Sequence, residues 1–283
     1  MKIAFVGKGG SGKSSMSWLF THVLAQEGIP VLAIDADHNM DLVSNLGAEA
    51  STLPSVRETH ERFRTLMNLK SEEGWSSIAI DKHRNLPKFT LTPQDEFTAS
   101  LVTTIDKNIQ LMNVGLGSEE AIYSGRCAHG NSNPLKYYLP LLDEGGHAVI
   151  IDSVAGTDML NFGLYAGVDA IVGVVEPHRN SVKVFGSIIV SAELFQIPAY
   201  AILNKPSTNP YHEFMRSAHK ERIIGEMPFD NGVSELNPEM ISGETKNETL
   251  RIWEVLKGKH NTQDAVLKRL ARAELLRQGK LDA

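Results

Sequence analysis

Short apolar runs recur along the chain, and most are followed by longer stretches whose apolar positions carry a helical spacing. The runs Lys2–Val6, Pro30–Ile34, Ile109–Val114, His147–Ile151, Ala170–Val175, Ala199–Leu203 and Ile223–Glu226 read as strands. Most are apolar at nearly every position, the pattern of strands covered on both faces. Helices are predicted over Ser14–Gln26, Val56–Leu69, Leu135–Leu142, Val182–Leu194 and Glu248–Leu256. Alternation of the two kinds predicts an α/β fold, with a mostly parallel twisted sheet flanked by helices. Between Ser71 and Lys107 charge, proline and threonine mix without a period, and we read an irregular insertion or lid. Residues 262–280 read as a C-terminal helical tail, and the whole of 1–283 as one domain. Ligands of such sheets sit at the carboxyl ends of the strands.

Composition narrows the function classes. Acidic residues outnumber basic ones, 34 to 28, for a net charge of −6. There is no clustered basic stripe, so nucleic acid is not an expected partner. No apolar run approaches the ~20 residues of a membrane span. One cysteine leaves no intramolecular disulfide framework, and the first strand starts at the second residue with no visible signal peptide. A cytoplasmic protein is expected.

The chemistry is concentrated at Gly7-Lys8-Gly9-Gly10-Ser11-Gly12-Lys13-Ser14, which fits the phosphate-binding pattern GxxxxGK[ST]. A strand precedes it and a helix follows. Glycines let backbone N–H groups turn onto a polyphosphate, and the helix N-terminus favours the anion. Lys13 is expected at the β/γ-phosphates and the Ser14 hydroxyl on Mg²⁺. Gly9, Gly10, Ser11, Gly12 and Ser15 complete the expected nucleotide contacts.

Lys8 makes the loop resemble the deviant Walker A motif KGGxGK[ST] of the MinD, ParA, nitrogenase iron protein and CooC family of P-loop ATPases. The resemblance implies a three-layer P-loop NTPase fold and Mg·ATP as ligand. It also implies a homodimer formed on ATP binding, in which Lys8 reaches the partner's phosphates, as an arginine finger does. Slow hydrolysis without a partner protein is a further implication.

Other segments extend the reading. Asp35-Ala36-Asp37 follows the second strand, and either carboxylate could position the attacking water. Asp37 is the first choice and Asp35 the second. The run Ala148–Ile151 ends in Asp152, a candidate Mg²⁺ ligand through water, and Gly156 can present its N–H to the γ-phosphate. By family resemblance Asn204 contacts the adenine edge. The absence of Asp at Ser207 favours ATP over GTP, and Pro228 and Asp230 resemble the P-x-D segment that flanks the base.

Cys127 and His129 decide which relative the chain is compared with. CooC-type ATPases, which serve nickel insertion into carbon monoxide dehydrogenase, carry G-x-C-x-C at the corresponding place; here the second cysteine is His129. Doubled by symmetry, the pair gives Cys₂His₂, a set suited to zinc and plausible for nickel at a dimer interface. The resemblance therefore implies an accessory protein for metal (nickel) insertion into a client metalloenzyme. The alternative is a MinD/ParA-like positioning ATPase, a membrane- or partner-binding switch. Its candidate anchor is the tail, where Val266, Leu267, Leu270 and Leu275 mix with Lys268, Arg269 and Arg272. Packing of the tail on the body is the favoured expectation.

Overall fold

The protein is described here by a computed structural model that covers residues 1–70, 73, 87–115, 133–156, 164–259, 261–277 and 279. Its strands are β1 Lys2–Val6, β2 Val31–Asp35, β3 Phe89–Thr90, β4 Thr103–Asp106 and β5 Ile109–Asn113. They continue with β6 Leu142–Asp143, β7 Ala148–Asp152, β8 Ala170–Val175, β9 Ala199–Asn204 and β10 Ile223–Met227. The described α-helices are α1 Lys13–Gln26, α2 Asp41–Asn45, α3 His60–Leu66, α4 Glu96–Ala99, α5 Asn133–Leu141 and α6 Arg179–Leu194. The last four are α7 Pro210–Ala218, α8 Asn231–Ser234, α9 Gly243–Lys257 and α10 Gln263–Arg277.

Eight strands form one sheet in the order β10-β9-β8-β1-β7-β2-β5-β4. Every pairing is parallel except β4 with β5. Strands β1, β2 and β7 are buried at every position, which explains their unbroken apolar composition. The two-residue strands β3 and β6 pair separately. Helix α1 is buried along nine of its fourteen residues. It therefore needs no polar stripe, and Phe20 packs on Phe5 of β1 at 5.0 Å.

The register sets up the site. Asp152 of β7 lies beside Asp35 of β2, and Asp35 beside Asn113 of β5. The loops after β1, β2, β7, β9 and β10 thus converge at one end of the sheet.

Several elements differ from the sequence expectation. The stretch 71–107, read as an irregular insertion, contributes from its described part α4 and the antiparallel strand β4. The helix expected over Val56–Leu69 is a 3-10 turn, Val56–Thr59, then α3. Ser55 and Glu58 form a reciprocal capping box on that turn, and Asn68 takes a left-handed conformation beyond α3. Helices α2 and α7 had no counterpart in the hydrophobic pattern.

At the margin of the sheet, β10 is sealed by α9. Glu248 Oε1 accepts from Glu226 N–H at 3.1 Å, and Arg251 Nη2 donates to Ile224 O at 2.6 Å. The tail helix α10 packs on the body, burying Val266, Leu270 and Ala273. Arg269 Nη1 donates to Val168 O at 2.6 Å and Arg272 Nε to Leu194 O at 3.0 Å. Among the described residues, no helix is long and apolar enough to cross a membrane.

Candidate nucleotide site

The loop after β1 turns tightly, with Ser11 N–H donating to Lys8 O at 3.0 Å. Gly12 then adopts φ 92° and starts α1, where Met16 N–H donates to Gly12 O at 2.9 Å. A Cβ on Gly7 would lie 2.7 Å from Ser11 Oγ and 2.8 Å from Val174 O, so only glycine lets the loop fold back here. The first N–H groups of α1 have no intrahelical partner, and among the described residues no side chain caps them. A helix start left bare in this way suits an anion. Lys13 is buried in that first turn, and Lys8 Nζ donates to Gly9 O at 3.1 Å on the exposed side.

The carboxylates divide by what already holds them. Asp152 is fully buried; Ser17 Oγ donates to its Oδ1 at 3.3 Å, and its Oδ2 has no hydrogen-bond partner among the described residues. Burial pushes its pKa up to about 7 against the Ser14 hydroxyl and the Lys13 ammonium, which pull it down. An unpaired buried oxygen beside Ser14 fits a hard divalent cation, which takes oxygen ligands. Asp35 has both oxygens engaged, from Asp37 N–H at 3.1 Å and Val43 N–H at 3.0 Å. Burial and the neighbouring Asp152 raise its pKa well above the carboxylate range. Asp37 accepts from Asn39 N–H at 3.1 Å through Oδ1, which also lies 3.6 Å from His38 Nδ1. Of the two candidates for positioning water, Asp35 is thus occupied in shaping the turn.

Gly156 adopts φ 80° and its N–H donates to Gly7 O at 2.9 Å. A bond from this N–H to a γ-phosphate requires the clasp to open.

Beside the loop lies a cavity of about 260 Å³, walled by Gly12, Met16, Asn204, Pro228, Phe229 and Leu236 among others. Ser15, Lys205 and Asp230 also reach it. Asn204 Nδ2 donates to Ser11 O at 2.9 Å. Asp230 is taken up by the protein: Oδ1 accepts from Val233 N–H at 3.1 Å and Oδ2 from Ser242 N–H at 3.0 Å. Burial works against its charge, but these bonds and the Ser242 and Thr245 hydroxyls hold its pKa below the usual value. Phe229, by contrast, lines the cavity while 63% exposed.

The structure thus brings together Gly9, Gly10, Ser11, Gly12, Lys13, Ser14, Ser15, Asp37, Asp152, Gly156 and Asn204 at one end of the sheet. Cys127 and His129 lie outside the described residues, and among the described residues no group of three or more His, Cys, Asp or Glu is placed to hold a metal ion. Sequence reasoning missed Ser17 and Phe229. Ser17 could have been found as the residue three after Ser14, on the same helical face. Phe229 was hidden inside the P-x-D pattern, whose flanking residues drew the reading.

Comparison with known proteins agrees with this geometry. Residues 3–241 match the model of the CobQ/CobB/MinD/ParA nucleotide binding domain. An uncharacterized ATP-binding protein of Methanocaldococcus jannaschii is 28% identical over 236 residues, covering 81% of this chain and 88% of the relative. The carbon monoxide dehydrogenase accessory protein CooC of Rhodospirillum rubrum is 26% identical over 235 residues, covering 82% and 85%. In fold, the chain is similar to apo McdA of Cyanothece at a TM-score of 0.63 and 16% identity, covering 90% and 98% of the two chains. With a glycine-rich loop, a bare helix start and an unpaired buried carboxylate oxygen meeting at the strand ends, the chain belongs to the CobQ/CobB/MinD/ParA family of P-loop nucleotide-binding proteins.

Proposed function

We propose that this chain is a Mg·ATP-dependent ATPase switch that dimerises on ATP binding, and that it serves metal insertion into a metalloenzyme in the manner of CooC. The observation that carries the ATP reading is the pairing of the uncapped α1 start with Lys13 and the unpaired Asp152 Oδ2. Triphosphate oxygens would meet the N–H groups from Gly9 to Ser15, with Lys13 at the β/γ bridge. Mg²⁺, held by Ser14 and Asp152, would neutralise charge on the β/γ oxygens. Asp37 is assigned to orient the attacking water, because Asp35 already holds two backbone N–H groups. Gly156 N–H would leave Gly7 O for the γ-phosphate and return after hydrolysis. Asn204 would turn its Oδ1 to the adenine amine, since its Nδ2 is engaged. Pro228 and Phe229 would flank the base, with Asp230 supporting the loop from behind.

Lys8 is assigned to the phosphates of a second copy. Its half-buried side chain is tied, among the described residues, to the neighbouring Gly9 carbonyl, a local arrangement that is easily released. The metal-insertion reading rests on the likeness to CooC over most of both chains and on Cys127 with His129. Nickel or zinc would be cargo, held between two protomers and released when hydrolysis relaxes them. Burial of Val266, Leu270 and Ala273 of α10 against the body, with Leu275 left partly exposed, speaks against the membrane-anchored alternative.

Light scattering with Mg·AMPPNP, followed by metal analysis after incubation with Ni²⁺ or Zn²⁺, tests both layers. Dimerisation with about one metal ion per dimer, lost in Cys127→Ser, is the expected result. A dimer that retains no more metal than Cys127→Ser sinks the metal role, and a chain that stays monomeric sinks the switch.

A further inference from the structure

Asn204 stands at the end of β9 with its side chain buried against the phosphate loop. Its Nδ2 donates to Ser11 O at 2.9 Å. Ser11 immediately precedes the left-handed turn at Gly12, and a Cβ on Gly12 would come within 2.7 Å of the same Nδ2. The amide therefore touches the loop at the residue where the chain turns into α1. Asn204 is itself anchored. The next residue, Lys205, is left-handed at φ 52°, donates its N–H to Met227 O at 2.8 Å, and pairs its Nζ with Glu176 Oε1 at 3.1 Å. These ties fix the end of β9 to both neighbouring strands' loops.

We propose that Asn204 is a positioning residue for the phosphate loop. By donating to the Ser11 carbonyl it holds the peptide plane before Gly12, and with it the direction of the N–H groups that open α1. The inference rests on the ATP-binding reading and deepens it: the residue that faces the base also sets the affinity for the phosphates. A residue that only read the base would leave binding of a base-free polyphosphate untouched. The bond to Ser11 also orients the amide, so the carbonyl Oδ1 is the atom left for a ligand amine. One side chain thereby links the two halves of the site.

Calorimetric titration of the full chain with Mg·tripolyphosphate, Mg·ATP and Mg·ITP tests this. Asn204→Asp keeps an acceptor for the adenine amine but cannot donate to Ser11 O; Asn204→Ser removes both reaches. Loss of a hydrogen bond worth about 1–1.5 kcal/mol predicts a 5- to 12-fold weaker tripolyphosphate Kd in both variants. Asn204→Asp should retain the preference for ATP over ITP, which a general collapse of the site would erase. Tripolyphosphate binding at the parental affinity in both variants, with ATP weakened, would overturn the proposal and leave a base contact alone. If the parental chain binds tripolyphosphate but not ATP, the ATP reading fails, and the tripolyphosphate Kd of the two variants decides the brace: weaker in both supports it, parental in both overturns it. If the parental chain binds neither, the ATP reading falls and the brace falls with it.

Discussion

Around the loop Gly7–Ser14 polar groups stand open: the first N–H groups of α1, Ser11 Oγ and Asp152 Oδ2 lack partners among the described residues. In the neighbouring cavity the picture reverses. Asp230 accepts two backbone N–H groups, Asn204 is bonded to Ser11, and Lys205 is paired with Glu176. Met16, Met227, Pro228, Val233 and Leu236 add apolar wall beside Ser15, Asn45 and Ser234, and Phe229 lines the cavity while largely exposed. On the proposed function, the loop side would be completed by charged phosphate oxygens and the cavity side covered by the base. A buried polar group costs free energy until it is satisfied, so unpaired atoms mark where a ligand belongs. A carboxylate with both oxygens engaged, such as Asp35 or Asp230, marks architecture instead.

The sharpest way to break this contrast is at the charges. Lys8→Ala should bind nucleotide as a monomer but lose ATP-driven dimerisation. A cation supplied in trans is worth about 10³-fold or more in turnover, so hydrolysis by this variant should fall to background. Phosphate release at the parental rate would remove the lysine from the mechanism. Lys13→Ala should weaken Mg·ATP binding about 100-fold, the scale of a charge-assisted contact, while the unliganded chain melts near the parental temperature.

Asp152 gives a pH signature. Its pKa is lifted by burial to about 7, so the folded chain holds a proton that the unfolded chain releases near pH 4. That contribution to stability is present at low pH and is lost as pH rises through about 7. Mg²⁺ bound at Asp152, as proposed, would have to displace the same proton. Its apparent affinity should therefore fall about tenfold for each pH unit below 7 and level off above it. Asp152→Asn should flatten both profiles, as thermal melts and Mg²⁺ titrations between pH 5 and 8 would reveal.

The base half predicts smaller effects. Phe229→Ala should weaken ATP and ADP by about 5-fold or more, the low end of base stacking, and leave tripolyphosphate unchanged. Asp230→Ala should cost about 1 kcal/mol of stability as a lost helix cap, yet change nucleotide affinity only indirectly. A larger loss of affinity in Asp230→Ala than in Phe229→Ala would reverse the assignment of the two.

The sheet was legible because its strands are buried on both faces: β1, β7 and β8 read as apolar runs with no competing period. Strand β4 was not, because its alternately exposed Thr-Thr-Ile-Asp is too short and polar to stand out. Helix α7 begins at Asn209-Pro210, which looks like a turn until Asn209 is seen to cap it through Tyr211 and His212 N–H. The phosphate loop was legible because its spacing is fixed by backbone geometry. The choice between Asp35 and Asp37 was not, since it depends on which N–H groups the folded turn delivers to each carboxylate.

The clamp of Glu248 and Arg251 on β10 has a bearing on assembly. These two side chains take hydrogen-bonding positions that another copy's strand would need, so sheets cannot join end to end at that border. Continuation of the sheet by a strand from another copy is thereby disfavoured along this rim.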